Sequence, residues 1–152
     1  MNNLIYRTTL ERVHAPVAAG TSNITDCNVV DMQNYDAVRF IVSFGTLTST
    51  AVTSLSLKQS DAITNSTTLS GAEDAVGSSV TVVQATGSNK LYYLDVMRPV
   101  RRYLQLQINR GTANAVVDLA IAEKYAARKV PTTQLSDVDG GKVLISPIAG
   151  TP

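Results

Sequence analysis

The feature that most limits what this chain can fold into is a side-chain period of two, sustained through residues 91–131, LYYLDVMRPVRRYLQLQINRGTANAVVDLAIAEKYAARKVP. Successive side chains of a strand point to opposite faces, so apolar residues at every second position mark a half-buried strand, whereas an amphipathic helix repeats at 3.6. Residues 102–109 alternate cleanly, with Leu104, Leu106 and Ile108 facing in and Tyr103, Gln105, Gln107 and Asn109 facing out. Arg110-Gly111-Thr112-Ala113-Asn114 supplies a hairpin loop with a glycine available for positive φ. Residues 115–124 run back, with Val117, Leu119 and Ile121 inward and Val116, Asp118, Ala120 and Ala122 on the other face. The Ala, Glu, Lys and Leu of residues 113–128 also suit a helix. The β-branched pairs, the alternation and the preceding turn favour a strand.

The same period recurs upstream. Val38, Phe40, Val42 and Phe44 alternate with Arg39, Ile41 and Ser43, and Gly45 ends or bulges that run. Leu55 and Leu57 form one face of the next strand, residues 62–75 read as a polar surface loop with one short strand or turn near Leu69, and Val80 and Val82 form a further strand. Short strands about 8–12 residues apart, separated by turn signals, specify an all-β fold, an antiparallel sandwich or barrel. The 152 residues suit one domain. It divides into an N-terminal arm (1–27), a β-sandwich core (28–130) and a C-terminal arm (131–152). Pro16, Gly20, Pro131, Gly140-Gly141, Pro147 and Pro152 break any period in the two ends, which read as extended arms or disordered tails. Val143, Leu144, Ile145 and Ile148 are more apolar than a solvated tail requires, so the C-terminal arm is expected to dock on its own sheet or on a neighbour.

Little in the sequence suits catalysis. His14 is the one histidine, so any Ser-His-Asp or Cys-His arrangement must use it, and it sits in an irregular segment. Cys27, the one cysteine, precedes Val29-Val30 and reads as a small buried side chain. Asp137-Val138-Asp139-Gly140-Gly141 lacks the third alternating ligand and the closing glutamate of a calcium loop, with Ile148 in the glutamate's place. No catalytic residue, metal or cofactor is expected. No basic and apolar leader opens the sequence, and the longest uncharged run, 40–57, is rich in Ser and Thr, so no signal peptide or membrane span is expected.

The surface is unusual. Charged residues are 16% of the chain, against roughly 25% in an average soluble domain, and the net charge is +1. Such a balance gives no general attraction to nucleic acid or to an anionic membrane. An apolar outer face on residues 115–124 needs cover, so Val116, Ala120 and Ala122 are expected between subunits. Arg98, Arg101, Arg102 and Arg110 cluster near Tyr92, Tyr93 and Tyr103, with Arg128-Lys129 following. Basic and aromatic residues interleaved in this way suit single-stranded nucleic acid, and they suit protein interfaces equally. The low net charge favours a protein partner. The expected interface set is therefore Tyr92, Tyr93, Arg98, Arg101, Arg102, Tyr103, Val116, Ala120, Ala122, Val143, Ile145 and Ile148.

Several phrases occur together: Val30-Asp31-Met32-Gln33-Asn34-Tyr35-Asp36-Ala37-Val38, Leu57-Lys58-Gln59-Ser60-Asp61, Ala72-Glu73-Asp74-Ala75, Tyr92-Tyr93 and Arg101-Arg102-Tyr103-Leu104. Their order over residues 29–131 resembles the small capsid decoration (cement) and head proteins of tailed bacteriophages. The resemblance implies a jelly-roll-like sandwich without enzymatic activity. It implies a homo-oligomer, a trimer, that clamps neighbouring major capsid subunits on the virion surface after synthesis in the host cytoplasm. Two other readings stay open: a head–tail connector or tail component, and a carbohydrate-binding sandwich with Tyr92, Tyr93 or Tyr103 as a stacking platform.

Overall fold

Two thirteen-residue strands, β4 (Tyr35–Leu47) and β12 (Ala115–Ala127), pair antiparallel to form the middle of the larger sheet. The structure is a computed structural model that describes residues 4–48, 53–75, 77, 79–82, 87–111 and 114–141. On the far side of β12 lie β1 (Thr9–His14) and, further along the same strand, β2 (Val17–Gly20); on the far side of β4 lies β10 (Lys90–Met97). The second sheet has β11 (Tyr103–Asn109) between β3 (Val29–Asp31) and β5 (Thr53–Ser60), with β8 (Glu73–Asp74) and β9 (Val80–Val82) sharing the outer edge of β5. A separate hairpin joins β6 (Ala62–Asn65) to β7 (Thr68–Ser70). The short strands of this hairpin and β8 therefore carry most of the segment that reads as a polar loop in the sequence.

The strand order identifies the architecture. Take β1, β3, β4, β5, the β8/β9 edge, β10, β11 and β12 as first to eighth. One sheet then runs first–eighth–third–sixth and the other second–seventh–fourth–fifth. All pairings are antiparallel. This is the jelly roll, two Greek keys wrapped into a two-sheet sandwich; the period-two alternation predicts the antiparallel sandwich or barrel, and the resemblance implies the jelly-roll form. The core lies between the sheets: Phe40, Phe44, Val38 and Val42 from β4 meet Leu55 and Leu57 from β5 and Leu104, Leu106 and Ile108 from β11, all essentially inaccessible.

The inward and outward assignment on β12 needs correction. Register against β4 shifts twice, between Ala115 and Val117 and again between Val117 and Leu119. The first shift places an extra residue on β4, at Gly45-Thr46. The second places one on β12, at Asp118. A bulge opposes two residues to one and reverses the phase of everything beyond it. Ala115 and Val117 point in, Asp118 and Leu119 are both exposed, and the buried positions then become Ala120, Ala122 and Lys124. Ala120 and Ala122 are thus core residues, not outer-face ones, while Leu119 and Ile121 turn outward. Gly45 fits here because a β-carbon on it would lie 3.0 Å from both Asp118 carboxylate oxygens.

Two further differences have physical causes. Gln105 and Gln107 face away from the core yet are buried, because the loop around Thr25 and Cys27 and the β6–β7 turn at Thr67 lie against their amides. Gln105 Nε2 donates to the carbonyls of Cys27 and Thr67 at 2.7 Å each, and Gln107 Nε2 to that of Thr25 at 3.2 Å, which satisfies main-chain acceptors of that loop and of the β6–β7 turn. The N-terminal segment read as an arm supplies two strands of the larger sheet, and Val13, Ile24 and Cys27 enter the core. Arg110, part of the basic cluster in sequence, is a buried staple of this segment: its guanidinium donates to the carbonyls of Ser22 (2.6 Å), Ala18 (2.9 Å) and Ala115 (3.2 Å).

The reversed phase generates a test on the isolated chain. Ala120→Glu buries an unpaired carboxylate and is expected to cost at least about 3 kcal/mol in urea unfolding. Leu119→Glu, one residue away, is expected to stay within about 0.5 kcal/mol of the parent. The opposite ranking would mean that β12 has no bulge at Asp118.

Candidate functional site: an arginine-lined cleft and an apolar sheet face

The sharp turn after β10 carries the first arginines. Arg98 leaves the strand in the left-handed region (φ 51°), and its amide donates to the Asp36 carbonyl at 2.7 Å. Pro99 follows, and β11 begins at Tyr103. This turn, the β3–β4 connection and the end of β12 enclose a cleft of about 700 Å³. Arg98, Arg101, Arg102 and Arg128 line it, together with Met32, Tyr35, Asp36 and Val100.

Three of these guanidinium groups are engaged within the chain. Arg102 forms a fork to Asp31, Nε to Oδ1 at 2.9 Å and Nη2 to Oδ2 at 2.7 Å, reaches Gln33 Oε1 at 2.8 Å, and stacks 4.9 Å from the centre of the Tyr103 ring. Arg101 bridges Asp61 at 2.6 Å and Glu73 at 2.9 Å, tying the turn to β8. Arg128 pairs with Asp36 at 2.6 Å. Arg98 has no ion pair among the described residues. Three of the four arginines therefore pair with Asp31, Asp36, Asp61 and Glu73 at the same end of the sandwich. That near balance gives a phosphate backbone little to neutralise. The Arg102 hydrogen bonds hold the Asp31 carboxyl below its ordinary range, and the Arg102 amide followed by the Arg101 side chain does the same for Asp61.

Beneath the cleft lies a buried ionic cluster that the sequence analysis does not identify. Lys124 Nζ, brought inside by the bulge on β12, lies 3.3 Å from Glu11 Oε2 and 3.4 Å from the Asp31 carbonyl oxygen. It also lies 5.2 Å from the centre of the Tyr35 ring. The ammonium is at ion-pair distance from Glu11 but off hydrogen-bond alignment, and Glu11 Oε2 has no donor. Burial raises the Glu11 carboxyl above its ordinary value, against the pull of Lys124.

The outer face of the larger sheet is the second candidate surface. Aligned across β10, β4, β12 and β1 are Leu91–Ser43–Leu119, Tyr93–Ile41–Ile121–Arg12 and Asp95–Arg39–Glu123–Leu10. Leu91, Tyr93 and Met97 are 68%, 66% and 73% exposed, and Leu119 is 39% exposed. A polar row bounds this apolar patch: Arg39 meets Glu123 at 2.6 Å and Tyr125 donates to Asp95 at 2.6 Å. The apolar exterior expected around Ala120 and Ala122 therefore exists one residue out of phase, on Leu119 and Ile121, and extends over β10.

The remaining expected interface residues are distributed as follows. Tyr93 is on the apolar face, and Val116 and Tyr103 are half-buried. Tyr92 points inward and packs edge-to-face on Phe44, ring centres 5.8 Å apart, so it is a wall of the core rather than a contact surface. Val143, Ile145 and Ile148 lie outside the described residues. His14 has Nδ1 2.7 Å from the Ala15 carbonyl oxygen and Nε2 3.5 Å from Asp26. Burial pushes the Cys27 thiol up to about 12, so it stays protonated and inert as a nucleophile. Among the described residues no group of three His, Cys, Asp or Glu is placed to hold a metal ion. Neither the protein-family models nor the curated proteins give a match to this chain.

Two outcomes follow for the charged end. Because its folded value is depressed, Asp31 contributes stability that is present above its ordinary value of 3.8 and lost as pH falls through the folded value. Arg102→Gln is accordingly expected to lower stability modestly at pH 7, with the difference from the parent shrinking as pH falls through the folded Asp31 value, in urea titrations. Glu11 has the opposite sign: its contribution is full below 4.5 and is lost as pH rises through the raised folded value. Lys124→Met strands that carboxylate and is expected to cost about 3–5 kcal/mol at pH 7. The loss shrinks at pH 4, where the carboxyl keeps its proton, and Glu11→Leu/Lys124→Met regains most of it. A double variant as unstable as the single one would contradict the pairing.

Proposed function

We propose that this chain is a structural virion protein that binds the outer capsid shell as a homo-oligomer and stabilises it by bridging major capsid subunits. The observation that carries the reading is the apolar outer face of the β10–β4–β12 sheet, centred on Ile41, Tyr93, Leu119 and Ile121. A contiguous apolar surface of this kind, bordered on one side by the Arg39–Glu123 ion pair and the Tyr125–Asp95 hydrogen bond, marks a protein contact. The jelly roll adds support by analogy, since viral coat and lectin domains share it, although a fold alone does not assign a function. The phage-head resemblance agrees with both. The role is non-enzymatic: binding the assembled shell and not its free subunits stabilises the shell by mass action, and repetition over the lattice supplies avidity. Apolar residues in the C-terminal arm, Val143, Ile145 and Ile148, add to the attachment, and the protein resides on the virion surface.

The reading is tested on purified particles. Quantitative mass spectrometry is expected to give hundreds of copies per particle, whereas a ring-forming connector or tail component would give about a dozen or fewer. Ile41→Lys and Leu119→Lys are expected to reduce occupancy at least tenfold, about 1.4 kcal/mol, while leaving the chain folded. Unchanged occupancy would contradict the role of this face, and specific hits on a glycan array would favour a carbohydrate-binding module.

A further inference from the structure

A β-sandwich has four sheet edges, and in this molecule they are treated unequally. The β1 edge is closed by the chain that follows β12: the amides of Leu10 and Arg12 donate to Gln134 Oε1 at 2.9 Å and Asp137 Oδ2 at 3.3 Å. Thr132 and Gln134 in turn donate to the Thr8 carbonyl, at 2.8 Å each. In the second sheet, β3 is three residues long, and the opposite edge is divided between β8 and β9, of two and three residues. Short and interrupted edges of this kind resist pairing with other strands.

The fourth edge, β10, has no such protection. Its eight residues keep an unbroken register with β4, from Lys90–Phe44 to Met97–Ala37. It contains no proline or bulge, and among the described residues nothing pairs with its other side. A regular, unpaired strand edge is a template for another strand.

We propose that the β10 edge pairs antiparallel with the β10 edge of a second copy of this chain, about a two-fold axis through Leu94, joining two sheets into one. A sheet with one closed edge and one open edge extends only where two open edges meet, which makes the contact isologous. The strand is self-complementary in that register. Leu91 faces the partner's Met97 and Tyr93 faces its Asp95 on the outer side. Tyr92 faces its Val96 and Leu94 faces its Leu94 on the inner side. No like charges oppose within residues 91–97, and Arg98 has already turned away. The pairing covers Leu91, Tyr93 and Met97, the most exposed apolar residues of β10, and seals the half-open side where Tyr92 and Val96 line the core. It rests on the edge geometry and not on the capsid reading, and it is two-fold where the phage-head resemblance implies a trimer.

The test uses the purified full chain, away from any particle. Light scattering is expected to give twice the 16.2 kDa chain mass. Leu91→Lys/Tyr93→Lys is expected to give the single-chain mass with an unchanged circular dichroism spectrum. Oxidised Leu91→Cys/Met97→Cys is expected to run as a covalent dimer, because those positions face each other across the axis. Leu91→Cys alone is not, because its two copies lie about 20 Å apart at a rise of roughly 3.3 Å per residue. A monomeric or threefold parent mass, or a dimer in which the double-cysteine chain stays unlinked, would overturn the proposal. So would a dimer lost on removing residues 142–152, which would assign the edge to the C-terminal segment.

Discussion

Almost every other element depends on the pairing of β4 with β12. Each strand is thirteen residues long, and together they hold β1, β2 and β10 in place, so the larger sheet is built outward from this one ladder. Two bulges within it, one on each strand, let the strands stay paired along their length while the phase of β12 reverses. That reversal decides the chemistry on both faces. It places Ala120 and Ala122 against the core and carries Lys124 into the interior, where it meets Glu11. It also turns Leu119 and Ile121 out beside Ile41 and Tyr93.

The all-β class was legible because alternation survives in β4, β5 and β11, where Phe40, Phe44, Leu57, Leu104 and Ile108 are inward as their spacing requires. The phase of β12 was not legible beyond Val117. A bulge adds one residue without altering composition, and its only local traces were Asp118 within an apolar run and Gly45 on the opposing strand. Gln105 and Gln107 are buried for another reason: a strand face opposite the core is solvent-exposed only if nothing covers it, and the loop around Thr25 and Cys27 and the β6–β7 turn do. The N-terminal strands were hidden by Pro16 and by their brevity, since β1 and β2 hold six and four residues.

The arginines illustrate the limit of counting charges along a sequence. Arg98, Arg101, Arg102 and Arg110 look like one basic cluster, yet Arg110 is a buried staple for carbonyls, and Arg101 and Arg102 are engaged by carboxylates from β3, β8 and the turn at Asp61. Exposed pairs of this kind add little stability individually. Their effect is to fix the turn between β10 and β11 and to remove most of the net charge from that end. On the proposed reading, the surface left for a partner is then the apolar sheet face, which has a polar border along only one side.

That face is the centre of the functional account, and hydroxyl-radical footprinting of the protein, free and on assembled particles, tests it most directly. The account predicts that Leu119 and Ile121 are labelled in the free chain and strongly protected on the particle, while Val100 and Arg98 at the cleft are labelled equally in both. Equal labelling of Leu119 and Ile121 in the two states, with protection confined to the arginine-lined end, would contradict it.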